Sequence, residues 1–172
     1  MLVGLAPFMR LPTIAQGTDE ADADIDLKNR CAHSRRPARK DVMHVSEGFA
    51  VVTPYIFVKG ADEYVRFLKA AFGAREVGRS TAPNGRIANC QMRFDTATIM
   101  LSEASEQFPP SSAAFYLYVA DADASMEKAE KAGAKKIMDA ADMPYGDRQG
   151  GVRDPSGNIW WVSQRTSAEA YF

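Results

Sequence analysis

The chain spells one short pattern twice, so whatever it folds into must hold two copies of a single unit. The first copy, Thr53 to Ala74, reads TPYIFVKGADEYVRFLKAAFGA: an apolar strand, an acidic helix start, an amphipathic helix and a Gly-Ala stop. The second, Ala114 to Ala134, reads AFYLYVADADASMEKAEKAGA in the same order. With Val58 aligned on Val119, the closing Gly73 and Gly133 fall within one residue of register. Self-similarity of this kind marks a supersecondary unit used twice. A unit that cannot bury its apolar face alone pairs with its copy, and the surface between copies is a natural ligand site.

The 172 residues suffice for one domain with a well-buried core and not for two. The balance of 21 basic against 22 acidic residues builds no large field of either sign, so neither nucleic acid nor a membrane surface is an expected partner. Two cysteines, Cys31 in a basic stretch and Cys90 in an expected strand, do not make a disulfide framework. No run approaches the roughly 18 apolar residues of a membrane helix. The start MLVGLAPFMRLPTIAQG lacks a charged region ahead of its apolar stretch. A cytoplasmic protein is expected.

Residues 1–47 differ from the rest: a Pro-broken apolar start, the acidic run DEADADIDLK and the basic cluster RCAHSRRPARK. No periodicity is sustained there, which predicts a disordered or loosely packed extension, the basic cluster being a solvated tail. Met43 stands just ahead of the first convincing strand, so the functional protein is expected to begin near it. Residues 48–172 are read as a single domain, with one module over about 49–104 and the second over about 113–165.

Val51 to Val58 is rich in β-branched and aromatic residues and predicts a strand. Tyr64, Phe67, Leu68 and Ala71 recur at helical spacing, predicting a helix over Ala61 to Phe72 that ends at Gly73. A strand over Arg75 to Thr81, an Asn84-Gly85 hairpin with both turn residues at positive φ, and strands over Ile87 to Phe94 and Thr98 to Ser102 follow. The Pro109-Pro110-Ser111-Ser112 segment joins the copies. The second copy reads as strand Phe115 to Val119, helix Asp123 to Ala132, and strands Lys135 to Met138, Gly150 to Arg153 and Ile159 to Gln164. Asp154-Pro155-Ser156-Gly157 fits a tight turn before the last strand. Each half is therefore βαβββ. Two halves give an α+β protein with a curved mixed sheet and helices on its outer face.

Side chains two apart in a strand share a face. Ile56, Val58, Cys90, Met92, Phe94, Ile99 and Leu101 form an apolar set expected beneath the helix, as do Leu117, Val119, Trp160 and Val162 in the second copy. The opposite set mixes aromatic and polar groups: Thr53, Tyr55 and Phe57; Asn89, Gln91 and Arg93; Thr98, Met100 and Ser102; Ala114, Tyr116, Tyr118, Trp161 and Ser163. Such a surface suits an organic ligand, and equally a filled core or an oligomer interface. If Asn89, Gln91 and Arg93 are buried they need partners, which a ligand or water-filled cleft supplies.

The duplicated βαβββ unit, the opening TPYIFVKGADEYVRFLKAAFGA and above all YGDRQGGVRDPSGNIWWVSQR from Tyr145 to Arg165 resemble the vicinal oxygen chelate superfamily, and within it the PhnB-like glyoxalase/bleomycin-resistance proteins. The resemblance covers about residues 49–165. It implies that fold, and a range of chemistries, since members include glyoxalase I, extradiol dioxygenases, a fosfomycin-inactivating transferase, an epimerase and metal-free proteins that sequester bleomycin. Enzymes of the group hold a divalent metal through His, Glu or Gln on the first and last strands of each module. Those positions fall here on Thr53, Met100, Ala114 and Trp161, none a usual ligand for such a metal. His33 and His44 lie outside the strands, and Glu103 and Asp95 read as turn or surface residues.

The resemblance thus implies a protein that binds or sequesters a small organic ligand without a metal, no cofactor being expected and no catalytic residue assigned. A lyase, isomerase or transferase of the same superfamily is the alternative, and a pairing module whose cleft is filled by its own side chains a third reading. The expected ligand-binding residues are Tyr55, Phe57, Asn89, Gln91, Arg93, Tyr116, Tyr118, Arg148 and Trp161. Trp161 offers a stacking surface where a metal ligand would stand. Arg148, after the flexible Gly146 and before Gly150 and Gly151, either meets an anionic group or pairs with Asp147 or Asp154. The group also implies a homodimer.

Overall fold

The structure, a computed structural model, describes residues 44–171. The expected extension, Cys31, His33, the basic cluster and Met43 lie outside the described residues, apart from the short stretch 44–47.

The first module runs β1 (Tyr55–Val58), α1 (Ala61–Phe72), β2 (Arg75–Thr81), β3 (Ile87–Phe94) and β4 (Ala97–Glu103). The second runs β5 (Ala114–Tyr118), α2 (Ala122–Lys131), β6 (Lys135–Met143), β7 (Asp147–Arg153) and β8 (Ile159–Arg165). Each module carries a four-stranded mixed sheet with the same order, β1-β4-β3-β2 and β5-β8-β7-β6. The first strand runs parallel to the last, and the other pairs are antiparallel. The duplicated sequence is thus a duplicated topology. Among the described residues no helix is long and apolar enough to cross a membrane.

Helix ends repeat as well. Gly73 and Gly133, the two stops, both take positive φ, 65° and 107°, a conformation that spares glycine the clash a Cβ would meet. At the other end the capping groups come from the last strands. Glu103 of β4 accepts from the backbone N–H of Gly60 at 3.0 Å and of Ala61 at 2.8 Å, and Gln164 of β8 accepts from Ala122 at 3.2 Å. Glu103 is therefore a cap for α1, whose exposed N–H groups and positive end favour a carboxylate, and not the plain surface residue expected from sequence.

The apolar set lies where parity placed it. Ile56, Val58, Cys90, Met92 and Leu101 are buried under α1 together with Val65 and Leu68, and Val162 and Trp160 do the same below α2. The two helices also pack on each other. Trp160 joins the modules, with Phe72 at 4.7 Å, Phe94 at 5.5 Å and Phe115 at 4.4 Å between ring centroids.

Some boundaries differ from expectation for local reasons. β1 starts only at Tyr55, because Thr53 turns its hydroxyl back onto the Ala50 carbonyl at 2.8 Å. The Asn84-Gly85 hairpin is wider than two residues: Gly85 N–H bonds Ala82 across Pro83 and Asn84, and only Gly85 has positive φ. Proline in the second turn position fixes its own φ near the value such a turn needs, so Asn84 need not be left-handed. β6 and β7 extend well beyond their expected ends, to Met143 and back to Asp147.

Candidate ligand cavity on the second module

The face of each sheet opposite its helix carries the mixed set. On the first module, Tyr55 and Phe57 sit 5.3 Å apart, and Phe57 stacks on Phe108 at 5.2 Å. Asn89 reaches the Tyr55 hydroxyl at 3.4 Å and the Met100 sulfur at 3.8 Å. Arg93 donates to Thr98 Oγ1 at 2.7 Å and to the Glu47 carbonyl at 2.8 Å. The partners that half-buried Asn89 and Arg93 require are thus supplied by the module and the stretch just ahead of it, without a ligand. Gln91 lies beside Gly78, where an added Cβ would come 2.8 Å from its Oε1.

On the second module the same face holds a cavity of about 490 Å³ walled by Tyr116, Tyr118, Tyr145, Trp161 and Tyr171, with Gln149 at its base. That volume lies in the range of roughly 300–1,000 Å³ typical of small-molecule sites. Tyr116 and Tyr118 project from β5 two residues apart, their rings 5.2 Å apart. Trp161 stands beside Tyr116 through the β5/β8 register. Gly151 leaves room for the indole, since a Cβ there would sit 2.7 Å from Trp161 Cζ3. Neither Gly150 nor Gly151 takes positive φ; only Gly146 of this run does, at 84°. The two strand glycines therefore serve close approach, Gly151 to Trp161 and Gly150 to Met126 of α2.

Beneath the rings lies Asp147, fully buried. Its Oδ2 accepts from Tyr116 at 2.8 Å, Ser163 at 2.7 Å and Tyr171 at 2.6 Å, and its Oδ1 accepts from Arg165 at 2.9 Å. Burial opposes ionisation, but the hydrogen bonds from Tyr171, Arg165, Ser163 and Tyr116 outweigh it and hold the carboxyl far below its usual range. Burial, with the neighbouring carboxylate, pushes the Tyr116 phenol up to about 12 even though the bond with Ser163 opposes this. Tyr145 donates to Gln149 Oε1, and Tyr118 meets the Tyr171 hydroxyl. Tyr171 arrives from the segment after β8, which Arg165 fastens by bonds to the Tyr145, Gly146 and Glu169 carbonyls.

Of the expected ligand-binding residues the structure brings Tyr116, Tyr118 and Trp161 together here. Tyr55, Phe57, Asn89, Gln91 and Arg93 lie on the corresponding face of the first module and do not line this cavity. Arg148 points to the opposite face, where it pairs with Asp123 at the start of α2 (2.5 Å) and with Asp142 of β6 (3.2 Å), rather than with Asp147 or Asp154. The sequence marks the string Tyr145-Gly146-Asp147-Arg148 as a site element but points to Arg148 within it rather than to Tyr145 or Asp147, and it does not point to Gln149, Arg165 or Tyr171. For Asp147 and Gln149 the signal was parity: a strand read back to Asp147 puts them on the face of Gly151 and puts Arg148 with Gly150 and Val152.

The positions that would hold a metal do not suit one. Thr53 is committed to Ala50, Met100 presents a thioether already met by Asn89, Ala114 a methyl and Trp161 a ring. Asp147 spends both oxygens on four donors. Among the described residues no three or more His, Cys, Asp or Glu side chains group to hold a metal ion.

The family model of the Glyoxalase/Bleomycin resistance protein/Dioxygenase superfamily matches residues 44–162. An uncharacterised protein of Mycobacterium bovis is 31% identical over 124 residues, covering 66% of this chain and 82% of the relative. An uncharacterised protein of Mycobacterium tuberculosis is also 31% identical, over 66% of this chain and 73% of its own length. Among solved structures, TioX from Micromonospora sp. ML1 superposes with a TM-score of 0.56 at 23% identity, over 66% of this chain and 98% of its own. A gene product from Arabidopsis thaliana gives 0.55 at 26% identity, over 67% and 98%. TnmS3 from Streptomyces sp. CB03234, an antibiotic binding protein, gives 0.53 at 20%, over 72% and 99%.

Proposed function

The chain belongs to the Glyoxalase/Bleomycin resistance protein/Dioxygenase superfamily, and from that premise we propose that it is a PhnB-like member that binds or sequesters a small organic ligand without a metal. The observation that carries the reading is the cavity of Tyr116, Tyr118, Tyr145, Trp161 and Tyr171. Aromatic walls on a rigid sheet hold a planar molecule by stacking and apolar burial, whereas the side chains at the metal-ligand positions supply no Lewis-acid site. TnmS3, which shares the fold, is an antibiotic binding protein.

The active form in this reading is a cytoplasmic homodimer. Both helix-free faces expose aromatic rings, Tyr55 at 38%, Tyr116 at 45% and Tyr118 at 54% of their surface, and residues of the first module do not line the second module's cavity. A second copy that laid its Tyr55, Phe57, Gln91 and Met100 over that cavity would complete the cleft and bury both faces.

The test is titration of the purified protein with planar organic molecules, followed by tryptophan fluorescence, alongside metal analysis and molar-mass measurement. The reading expects saturable quenching that Trp161→Ala abolishes, no stoichiometric Zn, Ni, Mn or Fe, and twice the chain mass. A stoichiometric metal with a reaction dependent on it would replace this function by that of an enzyme.

A further inference from the structure

The hydrogen bonds beneath the cavity run in one direction. Asp147 carries no proton and is met by Arg165, so each hydroxyl touching it must donate: Tyr116, Ser163 and Tyr171 all spend their hydrogens on Oδ2. Because the Tyr171 hydrogen is committed there, the hydroxyl contact between Tyr118 and Tyr171 is made by the Tyr118 hydrogen. Tyr145 gives its hydrogen to Gln149 Oε1. All four tyrosines of the wall therefore point their hydrogens into the protein, and an oxygen whose hydrogen is spent can meet a ligand only as an acceptor.

The remaining features have the same sign. Ring faces carry negative potential and attract cations. Among the described residues no Lys, Arg or His lines the cavity. The Arg165 guanidinium lies outside the wall; it packs on the Tyr171 ring at 4.2 Å and bonds Asp147 and three backbone carbonyls through Nη1 and Nη2. Among the described residues, the donors an anion finds here are the Gln149 amide and the Trp161 indole. A cation finds aromatic walls and phenolic oxygens whose hydrogens are already spent.

Resting on the small-molecule reading above, we infer that the second-module cavity selects flat, cationic ligands that present N–H donors, and that it rejects anions of the same shape. The buried Asp147 sets this selectivity without touching the ligand, by fixing which way the tyrosine hydrogens point. It is a positioning residue.

The experiment compares three tricyclic probes by calorimetry at neutral pH: 9-aminoacridine as cation, acridone as neutral molecule and anthracene-2-carboxylate as anion. The expected order is cation, neutral, anion, with at least tenfold between the first and last. Tyr118→Phe, at an exposed position, keeps the ring and removes one acceptor, so it should weaken 9-aminoacridine about threefold or more and weaken acridone, whose single N–H makes no charge-assisted bond, by a smaller factor. An anion that binds as tightly as the cation overturns the inference and leaves the ligand-binding reading standing. Cation binding that survives Trp161→Ala lies elsewhere and overturns it too. Failure of all three probes to bind removes both.

Discussion

Tyr64 of α1 donates a 2.6 Å hydrogen bond to Asp154, a residue 90 positions later and in the other module. The same carboxylate oxygen accepts from Trp160 Nε1 at 2.9 Å and Asn158 Nδ2 at 3.0 Å. Burial and the adjacent carboxylate push the Tyr64 phenol far above its ordinary value. This buried cluster clasps the modules, with the Trp160 aromatic group beside it. Tyr64→Phe should cost about 1.5–3 kcal/mol, the usual range for a bond to a charged group, measured by chemical denaturation. A change below about 0.5 kcal/mol would show that Trp160 and Asn158 satisfy this oxygen without Tyr64.

The adjacent glycines of β7 separate fold from site. Gly151→Ala drives a methyl against Trp161 and Ile137 and should weaken planar ligands by tenfold or more, with an overpacking cost of its own. Gly150→Ala, whose Cβ would come 2.9 Å from Met126 Cε, should cost about 1–3 kcal/mol by overpacking and leave ligand affinity within twofold. Binding and unfolding measurements on the two variants check the contrast; equal effects on affinity would contradict the face assignment.

Arg148 supplies a control. Its ion pairs with Asp123 and Asp142 are screened by solvent, so Arg148→Gln should leave both stability and affinity nearly unaltered. A tenfold loss of binding would bring this side chain back to the site.

The cavity floor makes stability depend on pH at both ends. The Asp147 carboxyl titrates lower in the folded chain than in the unfolded one, so its contribution is present above the unfolded value near ~3.9 and is lost as pH falls through the folded value. Tyr116 titrates higher when folded, so its contribution is complete below the unfolded value near ~10 and is lost as pH rises through about 12. Denaturation midpoints should fall below about pH 4 and again above about pH 10, with a flat region between. In Asp147→Asn the acid limb should shrink. An unchanged acid limb would assign acid sensitivity to other carboxyls.

Much of the fold was legible because it rests on local periodicities. Helix spacing marks α1 over its full extent, and strand parity sorts Ile56 from Tyr55 and Trp160 from Trp161. The site was only partly legible. Arg148 was read as a loop residue because the sequence does not mark where β7 begins, and a strand's start decides which way each side chain points. Asn89 and Arg93 invited a ligand reading because their partners, Tyr55 and the Glu47 carbonyl, are not near them in sequence.

The repeat, the two βαβββ modules and the parity of their strands are properties of the chain read alone, because they follow from spacings of a few residues. The tertiary structure decided the rest: Glu103 and Gln164 reach back from the last strands to cap helices, Tyr64 meets Asp154, and Tyr171 returns after β8 to complete a wall above Asp147. Each of these joins residues distant in sequence through burial. A buried carboxylate must gather its donors from wherever the folded chain brings them, and no local pattern records which ones those will be.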